Sequence, residues 1–402
     1  MEIAFFTDSY PPMQDGVAQV TGALARRLVG LGHRVRVFAP QAVTGPGYGE
    51  EEIDGVAVTR FRSVPVPLYG QYRWPVFPWA AARRARGAAA ADVIHVHTPG
   101  GLGSAGFLAA RRFGRPLVGT FHTNLRAMAE AVPPKLLVPQ FFRVAWWWNL
   151  GLYWRCDVAT APSAAARADL EGSVRKPFRR AVEVVPNGID VERFRPGIAA
   201  PDWRARCGLG GGPLVTYLGR LTVDKGIHRF LDAVAELATT GEVVGVVGGV
   251  GPEEARVRAR LRDDPRLSGR VRYLGPVAEE EKPALLGQSD VFVLPSTSDT
   301  SSIALLEAMA CGAAVIAPDD GGAAELVVDG ETGRRAAVRS PGALSAVLAE
   351  LVGDPAARRR LAAQGREQVV RTGSLDAMAR RFISLYAHLL EARSPDGRRR
   401  AR

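Results

Sequence analysis

A chain of 402 residues is too long for one ordinary hydrophobic core, so two domains of similar size are expected. Apolar residues at 47% and charged residues at 23% exclude a disordered or fibrous chain, and three scattered cysteines, Cys156, Cys207 and Cys311, argue against a disulfide frame or a cysteine zinc site. The net charge of +11 is uneven: residues 56–155 hold thirteen Lys and Arg against only Asp92 and Glu130, a basic face suited to anionic lipid or an anionic acceptor, and without an aromatic–basic recognition motif nucleic acid is not an expected partner.

In chain order, MEIAFFTDSY runs straight into a strand with no basic segment before a long apolar one, so no signal peptide is read and a cytoplasmic location is expected. The turn DSYPPMQDG follows. Gly16 stands just before a helix beginning near Val17, where a residue without a side chain admits a phosphate to backbone N–H groups. The apolar, β-branched runs RVRVFAP, AVTRF, DVIHVH, PLVGTFH, VATAPS and AVEVVPN then alternate with helical stretches, which implies a parallel sheet with crossover helices. The sequence Gly101-Leu-Gly103-Ser-Ala-Gly106 fits a dinucleotide turn, but the next strand ends in His122 rather than an acid. We read that turn as close helix–strand packing. His122 lies beyond the carboxyl end of its strand, where ligands of open sheets bind. His95 and His97 alternate on a buried strand and read as core or supporting residues. Residues 132–155 hold four Trp, two Phe, one Tyr and three basic residues with no acid, too interrupted to span a bilayer but suited to an interfacial face.

The segment 195–213, rich in Gly and Pro, reads as an interdomain linker. A second strand series follows: LVTYLG, EVVGVVGG, RVRYLG, DVFVLPS and AAVIAP. The predicted fold class is α/β, two doubly wound Rossmann-like parallel-sheet domains facing across a cleft. The first spans 1–198, with a C-terminal helix about 376–392 packing back on it; the second spans 199–375; 393–402 is a basic tail. In GRLTVDKG, Arg220 and Lys225 offer two cations at the end of the second domain's first strand, suited to a diphosphate. In LPSTSDTSSIALLEAMACG, a helix capped by Ser301 or Ser302 and ended by Gly312 carries Glu307 among apolar neighbours, eight residues after Asp299. A ribose diol would satisfy such a carboxylate, and the helix start offers N–H groups to phosphate or sugar. The chain has no Asp-x-Asp pair and no His/Cys cluster, so no metal or other cofactor is expected.

The glycine turn, FHT, APS, VVPNGID, GRLTVDKG, VVGGVGPEE, YLGPV and the acid-x7-acid block together resemble the family 4 retaining glycosyltransferases of GT-B fold. The resemblance implies a metal-independent hexosyltransferase with the acceptor in the first domain and a nucleotide-diphosphate sugar, UDP-glucose-like or GDP-mannose, in the second. It implies that Arg220 and Lys225 hold the diphosphate, that Glu307 holds the ribose, and that Asp299 with the backbone of Ile303 and Ala304 meets sugar or phosphate. Gly16 would touch phosphate, the backbone near Val277 would face the base, and His122, with Arg220 and Lys225, would serve the reaction beside the donor sugar. Tyr10, Gln19 and Asn124 are the candidate acceptor contacts. Three features depart from the family: Asp299 stands where Glu is usual, Thr300, Ser301 and Ser302 replace glycines, and the first turn has Asp15-Gly16 where many members have two glycines. The loop after HTN resembles the branch that glycosylates membrane lipids such as diacylglycerols or phosphatidylinositol, so an anionic membrane surface at the inner face, met through residues 132–155, is the expected second partner. The rival readings are a soluble acceptor, or a sugar-nucleotide epimerase or binder.

Overall fold

The structure is a computed structural model that describes residues 1–13, 15–41, 49–66, 69–75, 85–122, 138–174, 177–178, 180–198, 202–239 and 243–393. The chain divides into two compact units, Met1–Gly188 with Leu375–Arg402, and Ile189–Ser374. The division falls ten residues before position 198 because Ile189 already belongs to the second unit. Its N–H donates to the Gly373 carbonyl at 2.9 Å, and Phe194, Trp203 and Cys207 are buried in the second unit's core. The stretch read as a linker therefore carries structure. A short helix, Trp203–Cys207, is capped by Asp202 and closed by the left-handed Gly208, so that glycine is a cap rather than slack.

The first unit's strands are β1 (Glu2–Phe6), β2 (Arg34–Pro40), β3 (Gly49–Ile53), β4 (Val56–Phe61), β5 (Ser63–Val66), β6 (Tyr69–Pro75), β7 (Val93–Val96), β8 (Leu117–Thr120), β9 (Val158–Ala161) and β10 (Glu183–Val184). Eight form one sheet in the order β10-β9-β8-β7-β1-β2-β4-β3, parallel except for β3. β3 is one edge of the sheet, and its Glu50, Glu51 and Glu52 guard it against pairing with another chain. β5 and β6 pair antiparallel on their own. The helix Leu375–Arg393 belongs to this unit: Phe382 and Tyr386 pack on His95, while Asp376 pairs with Arg27 and Arg393 with Asp157.

The second unit's strands are β11 (Leu214–Leu218), β12 (Val244–Gly248), β13 (Val271–Gly275), β14 (Val291–Val293), β15 (Ala314–Pro318) and β16 (Arg334–Ala336). They form a parallel sheet in the order β13-β12-β11-β14-β15-β16. β11, β12, β14 and β15 are buried on both faces, which is why they read as unbroken apolar runs. Val215 and Tyr217 join one core with Phe230 and Leu348, and Leu214 and Leu218 join the other with Phe292, Leu305 and Met309.

Candidate active site

In the second sheet the chain adds strands on one side of β11 and then on the other, through β14. The loops leaving β11 and β14 thus bracket the switch point, the place where open α/β sheets bind ligands. The first loop is Gly219–Gly226. Tyr217, fully buried, holds it by donating its hydroxyl to the Arg220 carbonyl at 2.9 Å. Gly226 ends it at φ 74°, and a Cβ there would strike the Pro295 carbonyl, so only glycine lets this loop lie against the β14 loop. Hydrogen bonds to Asp224 stitch the loops together. Thr297 N–H donates to the Asp224 carbonyl at 2.9 Å, and the Ser298 hydroxyl donates to the Asp224 carboxylate at 2.6 Å. Burial works against the Asp224 charge, but that hydroxyl and the cations Lys225 and Arg220 outweigh it and hold its pKa below the usual range. Lys225 Nζ is ion-paired with the Asp299 carboxylate, both side chains being largely buried. The Arg220 guanidinium forms no ion pair or hydrogen bond among the described residues.

The helix Ile303–Cys311 starts on the β14 side of the switch point. Ser302 caps it, accepting the Leu305 N–H at 3.2 Å, and Gly312 closes it. The N–H groups of Ile303 and Ala304 have no partner among the described residues and stand at the positive end of the helix. Glu307, in the same helix, is 5% exposed, and no hydrogen bond reaches its carboxylate among the described residues. Burial lifts its pKa to about 7; Lys282 and Arg193 pull it back and Glu279 adds to the rise. A buried, unpartnered carboxylate is unfavourable unless something donates to it. Val277 packs on the core beneath, beside Gly248. The unit thus gathers an unpaired cation, a paired one, two helix-end donors and a buried acceptor. That set can hold a diphosphate and a pair of hydroxyls.

The chain matches the family model described as Glycosyltransferase Family 4 over residues 14–193 and that described as Glycosyl transferases group 1 over residues 201–368. It is 31% identical to a GDP-mannose-dependent alpha-mannosyltransferase of Mycobacterium tuberculosis, covering 83% of each chain. The chain belongs to glycosyltransferase family 4. It is also 31% identical to a D-inositol 3-phosphate glycosyltransferase of Frankia alni, over 91% of this chain and 93% of that one. A sucrose-phosphate synthase from Thermosynechococcus elongatus has the same fold, with a TM-score of 0.79 at 22% identity, covering 98% of this chain and 100% of that one. This glycosyltransferase is a hexosyltransferase of the GT-B fold class.

In the first unit of the glycosyltransferase, β1 and β7 bracket the corresponding switch point. Gly16 is the first residue of the helix Gly16–Gly30, one place earlier than the sequence suggested, because Asp15 is its cap. The Asp15 carboxylate accepts the N–H groups of Val17 and Ala18 at 2.9 and 3.0 Å, and the Gly16 N–H has no partner among the described residues. A Cβ at Gly16 would meet nothing within 4 Å. Tyr10 is buried beneath Arg60, and burial raises its pKa to about 12; Gln19 is partly buried. Asn124 lies outside the described residues.

His122 stands two residues beyond β8. Its Nε2 lies 3.1 Å from Nδ1 of His97, and their rings stack. The His97 ring lies against that of His95 in a tilted contact, centroids 3.9 Å apart, and His95 is hydrogen-bonded to Tyr386 and Thr120, both at 2.7 Å. Burial lowers the pKa of all three histidines, that of His122 to about 4, so all are neutral near pH 7. The His97 Nε2 is buried without a partner among the described residues. The sequence reading kept His95 and His97 apart from His122; they meet because β7 and β8 are neighbours in the sheet.

At the turn Gly101–Gly106 the protein supplies its own anion. The Asp8 carboxylate accepts the Leu102 N–H at 2.9 Å and the Thr98 hydroxyl at 3.0 Å, filling the helix start where a pyrophosphate would lie. Burial raises the Asp8 pKa to about 6 against those bonds. Side chains at Gly103 and Gly106 would strike Thr98 and Phe6, so these glycines serve close packing. Among the described residues no group of three His, Cys, Asp or Glu is placed to hold a metal, and no helix is long and apolar enough to cross a membrane. Val144, Trp147 and Trp148 of the helix Val138–Arg155 are 69%, 50% and 60% exposed, and Trp148 donates to Ser104 on the helix Gly101–Phe113. Leu108, exposed one turn beyond Ser104, and exposed Arg111, Arg112 and Arg155 belong to the same two helices. Residues 123–137 and the tail 394–402 lie outside the described residues.

Proposed function

We propose that the enzyme moves a hexose, with retention and without a metal, from a nucleotide-diphosphate sugar to a hydroxyl of a membrane glycerolipid or phosphoinositide. GDP-mannose is the favoured donor, on the likeness to the mannosyltransferase, with a UDP-glucose-like sugar as the alternative. The observation that carries the donor reading is Glu307. Its buried, partnerless carboxylate accepts the two ribose hydroxyls, while Arg220, Lys225 and the N–H groups of Ile303 and Ala304 meet the diphosphate. Asp299 takes a sugar hydroxyl, the backbone at Val277 faces the base, and Gly16 admits a phosphate oxygen.

In the reaction the bond from the sugar's anomeric carbon to the diphosphate oxygen breaks, and the acceptor oxygen bonds that carbon from the same face. The acceptor proton passes to the leaving diphosphate. No side chain is needed as a nucleophile; Arg220 and Lys225 stabilise the departing charge. Neutral His122 donates or accepts a hydrogen bond beside the sugar. The acceptor, with Tyr10, Gln19 and Asn124 as its contacts, is reached from the inner membrane face, where Val144, Trp147, Trp148 and Leu108 with the neighbouring arginines give an interfacial surface. Likeness to the inositol-phosphate enzyme favours a second reading, a soluble phosphorylated acceptor at the same site. Product analysis decides: GDP-mannose or UDP-glucose is supplied in EDTA with vesicles containing diacylglycerol or phosphatidylinositol, or with inositol phosphate. An α-linked glycolipid is expected; an inverted linkage refutes retention, and transfer to the soluble acceptor alone refutes the lipid assignment.

A further inference from the structure

The ion pair between Lys225 and Asp299 joins the two groups that the donor reading assigns to different parts of one substrate. It is built in by the fold. Asp224 is bonded to Thr297 and Ser298, so the residues next in sequence, Lys225 and Asp299, are brought face to face across the two loops. The pair is shielded, its side chains 16% and 13% exposed, so its attraction is less screened than that of a surface pair. Arg220, on the same loop, has no such partner among the described residues. A diphosphate therefore finds one cation available and must take the other from Asp299.

We infer that the Lys225–Asp299 pair is an exchange device that separates the sugar donor from the spent nucleotide; the inference rests on the donor reading above. When a nucleotide sugar takes Lys225, the freed Asp299 carboxylate receives hydrogen bonds from the sugar hydroxyls. When a nucleoside diphosphate takes Lys225, the Asp299 carboxylate is left without its cation and without a donor, beside the nucleotide's own negative charge. That state is raised in energy by like-charge repulsion and by a lost hydrogen bond. Lys225 returns to Asp299, and the product leaves.

The test is the affinity of GDP, UDP, GDP-mannose and UDP-glucose for the full-length protein and for Asp299→Asn, by calorimetric titration at low and high salt. Asp299→Asn keeps the shape and removes the charge; Asp299→Ala is the second variant, and thermal melts establish that both are folded. Both variants are expected to bind the cognate nucleoside diphosphate about five- to tenfold tighter than the wild type at low salt, with the gain shrinking at high salt. The matching nucleotide sugar should gain no more than about twofold, because it loses a hydroxyl acceptor as it escapes the repulsion. Unchanged or weaker diphosphate binding overturns the inference, and so does an equal gain for both ligands. If none of the four ligands binds the wild type or either variant, the donor reading itself fails and this inference goes with it.

Discussion

Replacing Glu307 by Gln separates what this carboxylate does for the ligand from what it does to the fold. Burial raises its pKa from the ordinary 4.5 to about 7. Between those values the folded protein holds a proton that the unfolded chain releases, so the wild type loses stability as pH rises from about 4.5 to about 7 and bears the full penalty above that. At roughly 1.4 kcal/mol for each unit of displacement, the penalty at pH 8 is about 3 kcal/mol. Glutamine removes the charge but buries an amide without a partner, which returns about 1 kcal/mol. The net expectation is that Glu307→Gln stabilises the second unit by about 2 kcal/mol at pH 8, an upward shift in melting temperature of about 5 °C for a unit of this size. By pH 5 the gain should be nearly gone. The same variant should lose nucleotide binding, since an amide presents one acceptor to a diol in place of two. Calorimetry at pH 5 and pH 8 with nucleotide titration at pH 8 tests both halves. A variant destabilised at pH 8, or one that binds nucleotide as the wild type does, refutes the reasoning.

Arg220→Ala and Lys225→Ala should each lower turnover by roughly 10²–10³, as losing one fixed oxyanion donor does; near-normal turnover in both would remove the clamp assignment. Gly16→Ala should leave the melting temperature nearly unchanged, since a Cβ there meets nothing, yet weaken donor use in steady-state kinetics; unchanged kinetics would detach Gly16 from the phosphate. EDTA should leave turnover unaltered, and a loss restored by Mg²⁺ or Mn²⁺ would contradict metal independence. Trp147→Ala with Trp148→Ala should lower co-sedimentation with anionic vesicles several-fold while leaving nucleotide affinity alone; equal sedimentation would remove the membrane surface.

Much of the second unit was legible because its chemistry is compressed into short stretches. Both faces of its sheet are covered, so the strands stand out as apolar runs, and each strand's end carries its loop residues with it. Ser302 and Gly312 mark the ends of the Glu307 helix as cap residues should. What sequence could not show is pairing across distance. Lys225 and Asp299 were each read as facing a ligand, and their partnership exists only because β11 and β14 are neighbours in the sheet. Asp224 passed unnoticed beside Lys225, although it ties the two loops. In the first unit, β3 was missed because GEEEI reads as a charged loop; its glutamates belong to an edge strand rather than a core one. The segment 195–213 looked like a linker because cap glycines and loop glycines are the same letter.

The central claim is that the loops of β11 and β14 with the Glu307 helix hold a nucleotide-diphosphate sugar. Nucleotide release from GDP-, UDP- and ADP-sugars, measured in EDTA with lipid vesicles for the wild type, Arg220→Ala and Glu307→Ala, tests it most directly. The account predicts release from one class of donor by the wild type and its collapse in both variants, while the fold is retained. Release that survives in the variants, or that the wild type shows with none of the donors, would contradict it.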